Sequence, residues 1–191
     1  MNLKRLVFAA FVAVAFLARS AKAGDATAYD LAKKGDQYVG IQSKGKIVQI
    51  RSEKSIASMT PNIWYVVYYD ADATFKAVQV KFEAGQETEV THPWRIIEQV
   101  TSDKEVLDSR RLKVDSDRAL KIAMAQPVLA NLTLKASQLT LEHGDLGPEW
   151  RVKLWAAKLK NPTDTAEIGN VIISSEDGAV LDANLHPNNV D

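Results

Sequence analysis

The side chains that could carry chemistry in this chain are its three histidines, its paired aspartates and the aromatic residues on strand-like segments. His92, His143 and His186 each fall in a different predicted turn. None has a second histidine or a carboxylate three or four residues away on a convincing helix. His143 lies near Glu142 and Asp145, which could help to bind a metal, but solvated turn residues explain this trio more simply. With no cysteine in the chain, thiol catalysis and cysteine-based zinc sites are excluded.

The two Asp-x-Asp pairs, Asp70-Ala-Asp72 and Asp115-Ser-Asp117, could begin calcium-binding loops. Such a loop also needs oxygen ligands at further regular offsets and a distal glutamate, and neither pair has them. The first pair therefore fits a hairpin turn and the second a helix N-cap. No Gly-x-Ser-x-Gly motif and no phosphate-binding glycine loop occurs. The sequence predicts no catalytic, metal-binding or cofactor-binding residue, and a protein that is not an enzyme.

The aromatic residues offer a different kind of chemistry, which is contact with a partner. The segment 63–69 is rich in aromatic and β-branched residues, which is typical of a strand. On its pleat Trp64 and Tyr68 share one face with Val66, while Tyr65 and Tyr69 share the other with Val67. Both faces are therefore apolar or aromatic. Either the sheet is covered on both sides, which we favour, or one face is a platform for a ligand.

A second alternating segment, 150–155, gives the best candidate contact residues. Trp150, Val152 and Leu154 are expected to face one way, and Arg151, Lys153 and Trp155 the other. The second set forms an amphipathic outer face in which an exposed tryptophan would be a protein-contact anchor. Trp155, Arg151 and Lys153 are the first candidates for partner binding, and Tyr65 and Tyr69 come next.

The helices and strands that position these residues are predicted from the period of the apolar residues and from the capping and turn residues between them. Helices are predicted from an N-cap at Thr27 to a stop at Gly35, and from Asp115 to about Gln126. The segments 95–100 and 104–107 fit a helix and a strand equally well. Strands are predicted at 46–51, 63–69, 75–82, 111–114, 134–142, 150–155 and 171–175, and those at 63–69 and 75–82 should form an antiparallel hairpin.

Residues 1–23 have the features of a secretory signal peptide. Lys4 and Arg5 precede an apolar run over 6–18, and Ala21-Lys-Ala23 fits the small-x-small cleavage rule. The run is shorter than the roughly 20 apolar residues that span a bilayer, although an uncleaved anchor is the alternative. We therefore expect an exported protein, periplasmic or secreted, with no membrane span after cleavage.

Cleavage would also change the charge of the chain. Residues 1–23 hold four basic residues and no acid out of 24 basic and 24 acidic side chains, so 20 basic and 24 acidic side chains remain, a net charge of −4. This balance argues against nucleic acid as a partner, because nucleic acid selects a clustered basic face. Without cysteine, an exported chain has no disulfide and depends on its core for stability.

The two halves of the chain can be aligned. A capped helix start is followed in each half by a tryptophan-led strand, at Trp64 and at Trp150. Each half then has a strand that ends in Glu-x-Gly, at Gly85 and at Gly178. The order helix, strand, strand, strand thus occurs twice, with a period of roughly 90 residues, which predicts a tandem duplication.

The second half resembles the PepSY-like domains of exported bacterial proteins. The residues that carry the resemblance are the helix at 117–125 and the strands at 138–141, 150–155 and 171–180, with their Trp-x-Val and Val-x-x-x-x-Glu-Asp-Gly patterns. The resemblance implies an α+β fold of two tandem repeats, 24–108 (degenerate) and 109–191, each a helix packed on a curved antiparallel sheet. It also implies a binding or inhibitory module, with no catalytic residue to transfer.

We therefore expect an exported, non-enzymatic binding module that recognises a protein or peptide partner in the cell envelope, with a peptidase as one candidate. The alternative is an inhibitor of an exported peptidase or other hydrolase, for which residues 158–167 would supply the protruding loop. A third possibility is a carrier of a small ligand, which would require an apolar cavity between helix and sheet.

Overall fold

The computed structural model describes residues 26–92 and 102–191. The predicted signal peptide lies outside the described residues, as do Trp94 and the ambiguous segment 95–100. Helix α1 spans Ala28–Gly35 and helix α2 spans Ser116–Met124. Short 3-10 helices lie at Asp103–Glu105, Ser109–Arg111, Pro127–Leu129 and Pro187–Val190.

Both α-helices begin where the capping residues predicted. The Thr27 side chain accepts a hydrogen bond from the Asp30 N–H, and the Asp115 side chain accepts one from the Ser116 N–H. The two helix starts also bind each other, because the Ala28 N–H donates to Ser116 Oγ at 3.0 Å. The paired aspartate at 115 is thus a cap, as predicted.

Eight strands form one antiparallel sheet in the order β4-β3-β2-β1-β5-β6-β7-β8. The strands are β1 Ile47–Ser52, β2 Ile63–Tyr69, β3 Ala77–Glu83, β4 Gln86–Thr91, β5 Leu134–Gly144, β6 Gly147–Ala157, β7 Thr165–Ser174 and β8 Val180–Leu185. The predicted hairpin of β2 and β3 is confirmed, with Val66 directly opposite Val80. The predicted strand at 111–114 is wrong, because the segment begins at the end of the 3-10 helix Ser109–Arg111 and forms no strand. Val114 is buried, and its N–H donates to Ser175 O.

The predicted fold class is wrong. Two repeats, each a helix on its own antiparallel sheet, would leave two sheets, whereas the strands of both halves belong to a single sheet. The join is the pairing of β1 with β5, where Ile50 lies opposite Leu141 and Arg51 opposite Thr140. Whether 24–108 and 109–191 behave as separate domains stays a prediction.

The join between β1 and β5 is extended by buried serines. Beyond Arg51, Ser52 Oγ accepts the Leu139 N–H at 2.9 Å, and the Ser55 N–H donates to Ser137 O at 2.8 Å. Ser55 Oγ likewise accepts the Ser137 N–H at 2.9 Å, and all three serines are buried. Side-chain oxygens therefore stand in for strand carbonyls along the middle of the sheet, which keeps buried β5 N–H groups paired.

The hydrophobic core lies between the helices and one face of the sheet. Helix α1 packs on β1 and β2, and helix α2 packs on β5, β6 and β7. The largest fully buried side chains include Trp150, Tyr68, Phe82 and Leu31. In the part of the chain that the structure describes, no helix is long and apolar enough to cross a membrane.

Candidate partner-binding face

Strand alternation divides the sheet into a core face and an open face, by which we mean the sheet face opposite α1 and α2. On β6, Trp150, Val152 and Leu154 are fully buried on the core face. The predicted contact residues Arg151 and Trp155, together with Lys153 between them, alternate with these residues and are only half-buried. The predicted division of this strand is therefore confirmed, and it places the three candidates on the open face.

One row of directly paired residues crosses the open face through all eight strands. We call it the central row. None of its members is buried. From β4 to β8 they are Glu89, Lys81, Tyr65, Arg51, Thr140, Arg151, Ile172 and Asp182. A sheet that buries one face and carries polar and aromatic side chains across the other has a broad surface available for contact.

The Arg51–Tyr65 pair lies near the middle of this row. The Arg51 guanidinium lies 4.2 Å from the centroid of the Tyr65 ring and donates a 2.7 Å hydrogen bond to Gln79 Oε1. The Tyr65 hydroxyl donates to Glu53. Partial burial, reinforced by the Glu53 carboxylate, raises the pKa of the Tyr65 hydroxyl, which therefore stays a hydrogen-bond donor. Stacking and hydrogen bonds thus hold the pair in position, and no described carboxylate forms an ion pair with Arg51.

Arg151 is fixed differently, by acids on its own and the neighbouring strand. Its Nε lies 3.2 Å from Glu142 Oε1 and its Nη2 lies 3.9 Å from Glu149 Oε1. Partial burial raises the pKa of the Glu149 carboxyl, against the lowering influence of Arg151. The guanidinium is thus held in place over the sheet by a pair of acids.

Trp155 lies towards one end of the open face and is partly covered. The Lys54 ammonium lies 4.6 Å from the centroid of its ring and 3.3 Å from Thr165 Oγ1. Lys153, two residues earlier on β6, lies directly between Gln138 and Asn170, which are uncharged. No ion pair to Lys54 or Lys153 occurs within residues 26–92 and 102–191. This end of the face therefore combines an aromatic ring with two lysines that lack a carboxylate partner.

Tyr69 belongs to a different environment from the other candidates. Strands β2 and β6 run in opposite directions, so Tyr69 and Trp155 lie towards opposite ends of the open face. Tyr69 packs against a small second core of Val48, Val67 and Ala77, together with Val106. That end of the open face is partly covered, so Tyr69 contributes to packing. This answers the question that the sequence left open: the inner strands are covered on the core face, and the open face is covered only locally.

Of the five predicted contact residues, the structure brings Arg151, Lys153 and Trp155 together on β6. Tyr65 shares the central row with Arg151 but lies three strands away, a separation of about 14 Å at the usual strand spacing. Sequence reasoning missed Arg51 and Lys54. The alternation of Arg51 with the buried Ile50 was a signal that it faces outward, but its place in the middle of the sheet follows from the β1–β5 pairing.

The structure does not place the histidines in a cluster of possible metal ligands among the described residues. His92 Nε2 lies 4.0 Å from Asp70 Oδ2, and Asp70 Oδ1 accepts the Asp72 N–H as in a turn. His143 and His186 are exposed. Within the described ranges, no three histidine, aspartate or glutamate side chains gather as metal ligands.

An apolar pocket of about 260 Å³ lies between the helices and the core face. Its lining includes Trp64, Leu120 and Leu139, with Met59 and Met124. Pockets for drug-sized ligands usually occupy about 300–1,000 Å³, so this one would hold no more than a small apolar fragment. It gives the small-ligand carrier some support, but less than the open face gives to a macromolecular partner.

Comparison with known proteins found no matching family model, no similar curated protein and no similar solved structure. The resemblance to PepSY-like domains therefore stays a prediction, carried by the sequence patterns alone.

Proposed function

We propose that this chain is an exported, non-enzymatic binding module that holds a protein or peptide partner on its open face. The observation that carries this proposal is the central row, an unbroken line of unburied side chains across eight strands. The two α-helices pack on the opposite face, and among residues 26–92 and 102–191 a second apolar cluster covers the open face only around Tyr69.

The binding mechanism rests on side chains that are already held in position. Arg51 is stacked on Tyr65, and Arg151 is fixed by Glu142 and Glu149, so neither guanidinium needs to lose much rotamer freedom on binding. Arginine and aromatic side chains are also the residues that most often dominate protein interfaces. Trp155 would add a half-buried aromatic anchor towards one end of the face.

Photo-crosslinking tests which surface meets the partner. A photoreactive amino acid replaces Lys153 on the open face in one sample and Lys33, an exposed residue of α1, in the control. Each protein is irradiated with the exported fraction of the source cells. We expect a discrete crosslinked protein or peptide at position 153 and none at position 33. A product at position 33 alone would place the binding surface on the helix layer and contradict the proposal.

Binding measurements with the crosslinked partner then test the anchors. Trp155→Ala should weaken binding about tenfold or more, the equivalent of roughly 1.4 kcal/mol, because aromatic interface anchors contribute at least that much. Met124→Ala, which shortens a 38% exposed side chain on α2, is the matched control and should leave affinity unchanged. If Trp155→Ala instead unfolds the protein, Trp155 belongs to the core, and Arg151→Ala takes its place in the test.

Inhibition of an exported peptidase or other hydrolase is the second candidate function. Residues 158–164, which connect β6 to β7, form a loop tied at its base by a 3.0 Å bond from the Lys158 N–H to Asp164 O. Leu159 in this loop is 66% exposed. A fixed loop with an exposed apolar side chain is suited to entering a cleft. Under this alternative, Leu159→Gly should abolish inhibition of the captured hydrolase while Trp155→Ala leaves it intact.

A further inference from the structure

Strand β8 is a free edge of the sheet. It is last in the strand order and, among the described residues, pairs only with β7. Five of its six residues are exposed, and only Leu185 is partly covered. A free edge offers a row of unpaired backbone N–H and C=O groups to any extended chain that can reach it.

The register shows which of these groups point outward. The His186 N–H donates to Ile168 O at 2.7 Å, so His186 bonds towards β7. Pairing is regular from Asp182 to Leu185, and backbone groups alternate in direction along a strand. Asp182 and Asn184 therefore also bond towards β7, while the N–H and C=O groups of Ala183 and Leu185 face away from the sheet.

The two edges of the sheet differ in how they are protected against pairing. Both edge strands have an irregularity in their pairing, β4 with β3 and β8 with β7, so the difference lies in charge: β4 carries Glu87 and Glu89. Strand β8 carries Asp182 as its single charge, and Val180 and Leu181 are 42% and 40% exposed. Charged side chains are a usual means of blocking an edge, so β4 is the better protected and β8 the more open.

We propose that β8 is a self-association edge, at which a second copy of this chain pairs antiparallel with the first. The outward-facing groups of one copy must meet those of the other. With Ala183 of both copies on the two-fold axis, Ala183 exchanges both hydrogen bonds with its counterpart. Asp182 then lies opposite Asn184 of the second copy, and Leu181 opposite Leu185. This register opposes no like charges and brings the exposed Leu181 of one copy against the partly covered Leu185 of the other.

Two other pairings of the edges are less favourable. Shifting the register by two residues in one direction places Asp182 opposite Asp182 of the second copy, which is destabilising. Pairing β8 of one copy with β4 of another would bring Asp182 towards Glu87 and Glu89, and it would generate an open polymer rather than a closed pair. The two-fold pairing of β8 with β8 closes on itself.

Sedimentation of the purified protein over a wide concentration range tests this inference. A six-residue strand pair is smaller than a standard interface, so we expect a monomer–dimer equilibrium with a Kd of roughly tens to hundreds of micromolar. Ala183→Pro removes the outward N–H without touching the bonds to β7, and should give a monomer with an unchanged circular dichroism spectrum. A protein that stays monomeric to about 1 mM, or a dimer that survives Ala183→Pro, overturns the proposal.

Two substitutions at Asn184 should change the affinity of the dimer in opposite directions. Asn184→Lys creates two symmetric opposite-charge pairs with Asp182 and should tighten the dimer roughly two- to thirtyfold, and Asn184→Asp should loosen it to a similar extent. Asn184 is exposed and faces the uncharged Asn170 on β7, so neither change should prevent folding. Equal effects of the two substitutions would show that the copies meet elsewhere.

Discussion

The serine bonds between β1 and β5 give the sharpest test of how the two halves form one sheet. Backbone pairing between these strands covers only Ile50 opposite Leu141 and Arg51 opposite Thr140. Beyond it, Ser52 Oγ is the acceptor for the Leu139 N–H. Ser52→Ala removes this acceptor and leaves the volume of the site almost unchanged. The perturbation therefore isolates one hydrogen bond at the join.

The expected cost follows from the burial of the group that is left behind. Leu139 is 1% exposed and Ser52 is 2% exposed, so water has little access to the orphaned N–H. A buried donor without a partner costs about 1–3 kcal/mol, which is more than the roughly 0.5–1.5 kcal/mol net value of an ordinary hydrogen bond. We therefore expect Ser52→Ala to lower the free energy of unfolding by about 1–3 kcal/mol.

Urea unfolding followed by circular dichroism measures the stability, and amide hydrogen exchange locates the change. Exchange of the Leu139 N–H should accelerate in Ser52→Ala, while amides of the β2–β3 hairpin keep their relative protection. Ser58→Ala is the matched control, since it deletes an exposed hydroxyl that donates to Thr60 O and should change stability by less than about 0.5 kcal/mol. If Ser52→Ala is as harmless as the control, the serine does not hold the join, and the reasoning about the sheet is refuted.

Two further predictions concern other parts of the sheet. Gly169 has φ +112°, and a Cβ there would lie 2.0 Å from Asn184 O. Gly169→Ala should therefore lower the free energy of unfolding in urea by at least about 1–3 kcal/mol and speed hydrogen exchange of the β8 amides. Unchanged protection of the β8 amides would contradict this prediction. Because burial raises the folded-state pKa of Glu149, its contribution to stability is present below the usual glutamate pKa and is lost as pH rises through the raised value. The stability of the protein relative to Glu149→Gln should therefore fall as pH rises from about 3 to 7, and a difference that grows with pH would refute the assignment.

The sequence was most informative where structure depends on neighbouring residues. Aromatic and β-branched composition in 63–69 and alternation in 75–82 and 150–155 predicted these strands, and their faces followed because the pleat alone decides which side chains share a face. The helix starts at Thr27 and Asp115 could also be predicted from the sequence, because an N-cap is a hydrogen bond between neighbouring residues.

The edge strands were missed because they lack the signal that reveals a strand. Strand β4 reads Gln-Glu-Thr-Glu-Val-Thr, and its residues are mostly exposed. Strand β8 has no buried residue. A strand that contributes almost nothing to the core has no apolar period to detect, and polar composition is itself a protection for an edge.

The join between β1 and β5 explains the error in the predicted fold. Arg51 and Thr140 pair although they lie 89 positions apart in the sequence, and no local pattern distinguishes one eight-stranded sheet from two smaller ones. The same join brings Arg51 on β1 to within two strands of Arg151 on β6, so the central row could not be predicted either. Its individual members were visible as outward-facing residues, but their alignment is a property of the tertiary fold.

The charges of the central row connect the two proposals. Its cations, Lys81, Arg51 and Arg151, lie on inner strands, while its acids, Glu89 and Asp182, lie on the two edge strands. Pairing of two copies through β8 would continue the row into the second molecule, with Asp182 next to an asparagine rather than another acid. The two open faces would then lie side by side, and a partner with two contact segments would bind with the avidity of a linked site. The single acid on β8 would thus set the register of the pair and the spacing of the two binding surfaces.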